Sequence, residues 1–210
     1  MIIAIDGPAA AGKGTMAKRL AKHFNLAFLD TGSLYRAVGK KVLDQGGDPD
    51  DPDFATSVAL ALAAKDLDGE GLRTETVGQA ASKVSAVPGV RAALLDFQRN
   101  FAASPPDGAA GAVLDGRDIG TVVCPDATAK LFITASAEVR AERRLKELLG
   151  RGSEAIYARV LEDMKERDAR DQSRATSPLE PAIDAKLLDT SDLDAEQAFA
   201  EALEFINSKI

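Results

Sequence analysis

The chain begins with a short unbroken apolar run, Ile2-Ile3-Ala4-Ile5, that stops at Asp6-Gly7. A continuous run of that length ending in a turn residue reads as a strand buried on both faces. Helical spacing follows over 13–23, where Met16, Leu20 and Phe24 share a face with Ala17 and Ala21. Four more short apolar runs recur at Leu26 to Leu29, Ala112 to Leu114, Lys130 to Thr134 and Leu187 to Leu188, with helical patterns between them. Strands separated by helices predict an α/β fold with a parallel sheet and crossover helices.

The rhythm breaks in two places. About eighty residues separate the second and third candidate strands, far more than one crossover needs. They read as helices at 33–45, 53–65, 74–86 and 88–102, punctuated by Gly46-Gly47-Asp48-Pro49 and Asp68-Gly69-Glu70-Gly71. This is the pattern of an inserted subdomain. Gly150-Arg151-Gly152-Ser153 then interrupts two charged helical stretches, and 104–111 and 176–185 read as loops.

Length and composition narrow the partners. A chain of 210 residues suits one domain with small excursions. Its 45% apolar and 28% charged residues are an ordinary soluble balance. A formal net charge of −7 argues against a nucleic-acid partner, because duplex binding needs a basic footprint. A local arginine cluster can still oppose that sign for a small anion. Cys124 is the single cysteine, so no intrachain disulfide forms; it reads as a small buried hydrophobe and fits a reducing compartment. With no apolar run of membrane-spanning length and no charged, then apolar, leader, the expectation is a cytoplasmic protein that acts as a monomer.

The sharpest motif is Gly7-Pro8-Ala9-Ala10-Ala11-Gly12-Lys13-Gly14-Thr15, set between a strand and a helix. The glycines let the backbone curl and aim N–H groups inward, the helix N-terminus adds positive potential, and Lys13 reaches the β- and γ-phosphates of a nucleotide. The common form of this loop places Ser or Thr directly after the lysine, where its hydroxyl meets Mg²⁺. Here Gly14 intervenes before Thr15, a variant that resembles nucleoside monophosphate kinases of the adenylate kinase type and puts more of the Mg²⁺ coordination on phosphates and water.

Phosphoryl transfer needs positive charge around the moving group, and arginine binds phosphate oxygens in pairs. Thr31 and Arg36 follow the second strand, and Arg117 and Asp118 follow the third, at the sheet edge where open α/β folds bind ligands. Arg91 lies in the insertion. Arg167, Arg170, Asp171 and Arg174 fall at i, i+3, i+4 and i+7, one helical face with three guanidinium groups. The competing reading of that face is a solvated, salt-bridged surface. Asp115 reads either as a turn residue or as a carboxylate on the Mg²⁺ side. His23, the single histidine, sits late in the first helix and reads as structural.

Together these stretches resemble the bacterial cytidylate kinase, or (d)CMP kinase, family along the whole chain. The marks are IAIDGPAAAGKGT at 3–15, LDTGSLYRAV at 29–38, AASKVSAVPGVRAALL at 80–95, DGRDIGTVV at 115–123, ERDARDQSR at 166–174 and LLDTSDL at 187–193. The resemblance implies a P-loop NTPase three-layer sandwich with a five-stranded parallel sheet. Its core would be 1–32, 103–149 and 176–210, with a helical monophosphate-binding insertion at 33–102 and a short lid and Arg-rich helix at 150–175. It implies transfer of the ATP γ-phosphoryl to CMP or dCMP with Mg²⁺. Gly7 to Thr15 would hold ATP, Thr31, Arg36, Arg117 and Arg174 the CMP phosphate, and Ser82, Arg91 and Asp118 the cytosine. Arg167 and Asp171 would lie at the ribose, with Arg167 and Arg170 also available to the transferring phosphoryl.

Many members of that family carry a longer segment between Leu62 and Arg73, so this insertion is expected to lack their hairpin. Two other readings stay open on sequence alone: a P-loop kinase for UMP, AMP or shikimate, and a nucleotide-binding switch without catalysis.

Overall fold

The computed structural model describes residues 1–67 and 69–210; Asp68, part of the turn expected at 68–71, lies outside the described residues. Strands β1 (Ile2–Asp6), β2 (Ala27–Asp30), β3 (Ala112–Asp115), β4 (Ala129–Thr134) and β5 (Lys186–Asp189) form one parallel sheet in the order β2-β3-β1-β4-β5. Each lies within a residue of its expected bounds. Helices are α1 (Lys13–Phe24), α2 (Thr31–Asp44), α3 (Pro52–Leu60), α4 (Glu75–Val84), α5 (Pro88–Ala103), α6 (Ala137–Gly150), α7 (Tyr157–Gln172) and α8 (Ala195–Asn207).

The sheet is sealed on both faces, which is why its strands lack polar alternation. Ile3, Ile5, Val113, Leu131 and Ile133 pack toward Leu20 of α1 and Ala202 and Ile206 of α8. Ala4, Ala112 and Leu114 point the other way, onto Ala102 of α5 and Ile119. Burying one Ile or Leu side chain contributes roughly 1.5–3 kcal/mol, so this two-sided packing outweighs local propensity in setting a parallel sheet. The last helix is fixed by a capping box: the Asp194 carboxylate accepts from the N–H groups of Glu196 and Gln197, and the Gln197 side chain accepts from Asp194 N–H.

Helices α2 to α5 build a separate core around Leu34, Val38, Val58, Val84, Val90 and Leu94. The helix expected at 53–65 stops at Leu60. Asp66 explains the stop: its carboxylate accepts from Ala63 N–H at 2.9 Å and pairs with Lys41 Nζ at 2.8 Å, while the same lysine donates to Ala61 O. Those bonds draw the chain into a short 3-10 turn at Ala64–Asp66, and the described residues between α3 and α4 form no strand. The sequence also placed Arg174 on one helical face with Arg167, Arg170 and Asp171. Instead α7 ends at Gln172, and Leu179 N–H returns to Asp171 O at 2.9 Å, so Arg174 lies on the turn beyond the helix.

Cys124 is buried, as expected. His23 packs edge-on to Phe24 and Phe199, with centroids 4.8 and 6.0 Å away, outside the cleft described below. Among the described residues no helix is long and apolar enough to cross a membrane.

Candidate active site

Parallel register brings the strand ends together. Asp115 pairs with Ile5 on one side and Asp30 on the other, so the segments leaving β1, β2 and β3 emerge at one edge. A cleft of about 1010 Å³ opens there, lined by the phosphate loop, α2, α4, the segment after β3, and α6 and α7.

The loop itself is held from behind. Gly12, with φ +94°, turns the chain into α1, which begins at Lys13. Ala9 and Ala10 pack against Ala141, Leu148, Val160 and Met164, so α6 and α7 rest on the loop. Thr190, from the conspicuous segment after β5, donates its hydroxyl to Ala11 O at 3.2 Å and is held by Arg143. Lys13 Nζ donates to Pro8 O at 2.8 Å and lies 4.0 Å from Asp115 Oδ1. Burial lowers the Lys13 ammonium from its ordinary pKa, with Arg117 adding to the effect. An anionic polyphosphate is the partner that would restore it. Ala9, Ala10, Gly12, Lys13, Gly14 and Thr15 line the cleft, whereas Gly7, Pro8 and Ala11 do not.

Opposite the loop sits a basin of guanidinium groups. Asp171, 1% exposed, accepts from Arg117 Nε at 3.1 Å and from Arg174 Nη2. Burial alone would raise its carboxyl, but Arg117, Arg174 and Arg167 outweigh burial and hold it below the usual carboxylate range. Arg167 is pulled down to about 10 by burial and by the Arg117 charge beside it. Arg36, on α2, is lowered by burial as well and faces the same cleft. Three arginines thus surround one carboxylate, and Nε of Arg167 with Nε and Nη1 of Arg174 are enclosed donors without an acceptor among the described residues. Unmet charged donors in a confined space are costly and create a strong local demand for an anion.

A second cluster lines the same cleft. Arg91 forms a buried ion pair with Asp118, donates to Ser85 O at 3.1 Å, and stacks 5.5 Å over the Tyr35 ring. The pair presents a fixed acceptor beside a fixed donor, both lining the cleft. Ser82 and Arg170 behave differently. Arg170 Nη1 donates to Ser82 Oγ at 2.7 Å, and the pair ties α7 to α4 without lining the cleft. Glu75, Gln79 and Ala81 of α4 and Ser85 at its C-terminal cap line the cleft, and Ser85 Oγ accepts from Arg174 at 2.8 Å. Thr31 is also engaged: its hydroxyl donates to Asp115 O at 2.8 Å, joining the start of α2 to the end of β3.

Some functional neighbours were missed from sequence. Arg140 forks onto Asp168 with contacts of 3.2 and 2.6 Å and reaches Ala9 O at 3.3 Å, linking loop to α7. Arg144 lines the cleft and spans it to Glu75 at 2.6 Å. Helical charge pattern alone gives these no distinction from surface residues. Among the described residues no three His, Cys, Asp or Glu side chains cluster to hold a metal. Thr15 and Asp115 both line the cleft, and hydroxyl and carboxylate oxygens are hard donors of the kind Mg²⁺ accepts when phosphates and water complete its shell.

Comparison with known proteins agrees with this geometry. Residues 3–208 match the cytidylate kinase family. The chain is 64% identical to the cytidylate kinase of Paramagnetospirillum magneticum, covering 99% of this chain and 98% of that one. It is 58% identical to that of Methylocella silvestris, covering 99% and 94%, and 58% identical to that of Rhodospirillum rubrum, covering 100% and 98%. Among solved structures, an uncharacterized protein from Eubacterium ventriosum superposes with a TM-score of 0.56 at 17% identity over 99% of each chain, a likeness of fold alone. A phosphate loop facing an arginine basin, on a chain matched from end to end, therefore has one assignment: the protein belongs to the cytidylate kinase family and is a nucleoside monophosphate kinase, the class of phosphotransferase that acts on CMP and dCMP.

Proposed function

We propose that the ATP γ-phosphoryl passes to CMP or dCMP between the loop and the arginine basin, with residue roles as follows. The observation that carries this reading is that Arg36, Arg117, Arg167 and Arg174 line one cleft with Lys13 and the phosphate loop, with unpaired guanidinium donors on Arg167 and Arg174. Lys13 and the loop N–H groups neutralise charge on ATP. Arg36, Arg117 and Arg174 grip the acceptor phosphate, and Arg167 reaches the transferring phosphoryl and the ribose with Asp171. Thr15 and Asp115 would hold Mg²⁺, which supplies charge neutralisation on the donor phosphates. Residues 33–102 form the acceptor-binding insertion and 150–175 the lid and Arg-rich helix. Their closure excludes water and limits wasteful hydrolysis. Donor and acceptor sides occur on one chain, which supports a monomer as the working unit, in the cytoplasm.

Selection of cytosine follows from Asp118 and Arg91. The carboxylate accepts from the N4 amino group, and the guanidinium donates to N3 or O2. Uracil presents an acceptor where cytosine presents that amino group, and a mispaired buried polar group costs about 1–3 kcal/mol. A coupled assay with CMP, dCMP, UMP and AMP tests the reading, and UMP rates equal to CMP rates would sink it. Asp118→Asn offers both a donor and an acceptor, and should lower the CMP-to-UMP ratio of kcat/KM by about tenfold or more, the equivalent of ~1.4 kcal/mol. An unchanged ratio would remove Asp118 from base recognition.

A further inference from the structure

Asp6 has no part in the chemistry described above, yet it sits at the junction of both halves of the site. It is the last residue of β1, directly before Gly7, and is 4% exposed. Each of its carboxylate oxygens accepts one backbone N–H from far along the chain: Oδ1 from Ile119 at 2.8 Å and Oδ2 from Gly120 at 2.7 Å. Those two residues immediately follow Arg117 and Asp118.

The segment they open is a single wide turn. Val123 N–H bonds to Asp118 O at 3.1 Å and Cys124 N–H to Ile119 O at 2.7 Å, both five residues back. The first N–H groups of such a turn have no partner within it, so without Asp6 those of Ile119 and Gly120 would be buried and unpaired. The contact is closely covered: a Cβ on Gly120 would stand 3.1 Å from Cδ of Lys130 and 3.4 Å from Asp6 Oδ2. Burial pushes the Asp6 carboxyl up to about 7, against the opposing pull of the two N–H groups. A buried carboxylate with no cation in hydrogen-bond contact is therefore kept at a site where an apolar residue would be easier to bury.

We propose that Asp6 is a positioning residue: it anchors the turn after β3 to the end of β1, and so sets Arg117 and Asp118 at a fixed height above the phosphate loop. This rests on the reading of Arg117 and Asp118 as acceptor residues. The loop backbone has supports of its own, from Thr190 to Ala11 O and from Arg140 to Ala9 O. Loss of the Asp6 carboxylate therefore acts on the acceptor side and spares the ATP side.

Asp6→Asn tests this, because it keeps the shape and one acceptor oxygen but turns an amino group toward the second N–H. The measurements are kcat, KM for CMP, KM for ATP and the CMP-to-UMP ratio of kcat/KM, with thermal unfolding alongside. The expected result is a fall in kcat/KM for CMP of about thirtyfold or more and a fall in the CMP-to-UMP ratio of about fivefold or more, with KM for ATP within about threefold of wild type. A CMP-to-UMP ratio and a CMP KM at wild-type values would overturn the proposal, whatever the melting temperature did. So would a rise in ATP KM matching that for CMP. Asp6→Ser is read by the same measurements if the Asn protein is insoluble, and failure of both to fold would make Asp6 a purely structural residue. Wild type is run in parallel. If it shows no preference for CMP, the base reading fails instead, and Asp6 is judged on the two KM values.

Discussion

Arg117→Ala is expected to lower kcat/KM for CMP by about 10²–10³-fold while leaving the fold intact. Removing one preorganised donor from a site of developing charge costs ~2.7–4 kcal/mol, and Arg117 belongs to such a site. Two of its donors are committed, Nε to Asp171 at 3.1 Å and Nη1 to Gly116 O at 3.1 Å, which hold the fork in place. Its remaining donors face the cleft between Lys13 and the arginines of α7. Alanine removes the grip on phosphate and also one of the charges that keep Asp171 ionised. Lysine at this position keeps the charge but loses the planar fork, so Arg117→Lys should recover only part of the loss. Steady-state kinetics with CMP varied at saturating ATP are the check. A kcat/KM within about threefold of wild type, under ~1 kcal/mol, would show that Arg117 does not bind the acceptor phosphate.

The second large effect is structural. Gly7→Ala should lower the melting temperature by about 10 °C or more and abolish tight ATP binding. A Cβ at Gly7 would stand 1.9 Å from the carbonyl oxygen of Ile133 and 2.9 Å from its carbonyl carbon, and Gly7 has φ +141°. Ile133 belongs to β4, hydrogen-bonded between β1 and β5, so that backbone cannot give way. The loop must move instead, and each ~1 kcal/mol lost shifts the melting temperature by ~2–4 °C at this chain length. Gly12→Ala is the matched comparison from the same loop. Nothing lies within 4 Å of its Cβ position, although its φ is +94°. Its cost is limited to ~1–2 kcal/mol of left-handed strain. Calorimetry and ATP KM on both variants separate contact from conformation, and equal melting temperatures would refute the assignment of the large effect to the Ile133 contact.

Much of the site was legible in the chain because the relevant signals are contiguous. Strand, glycine loop and helix succeed one another at 2–24, and Arg117 and Asp118 follow β3 after Gly116 alone. Side-chain direction was not legible. Ser82 lies on α4, and Ser85 caps the same helix three positions later. Only packing against α7 and the turn beyond it shows that Ser82 meets Arg170 while Ser85 meets Arg174 at the cleft. The Thr31 hydroxyl stands at the expected edge but is turned to the Asp115 carbonyl. The roles of Arg140, Arg144 and Asp6 carry no local mark, since their partners Asp168, Glu75 and Ile119 lie 28, 69 and 113 positions away.

The sequence by itself determined the fold class, the parallel sheet, the phosphate loop and the family. Each depends on a periodicity or on a run of neighbours, which fixes backbone conformation locally. Tertiary structure alone decided which arginines keep unpaired donors, where α7 ends, and which carboxylate holds the turn after β3. Those outcomes depend on burial and on partners supplied from distant elements, because a polar group's energy is set by what replaces its water.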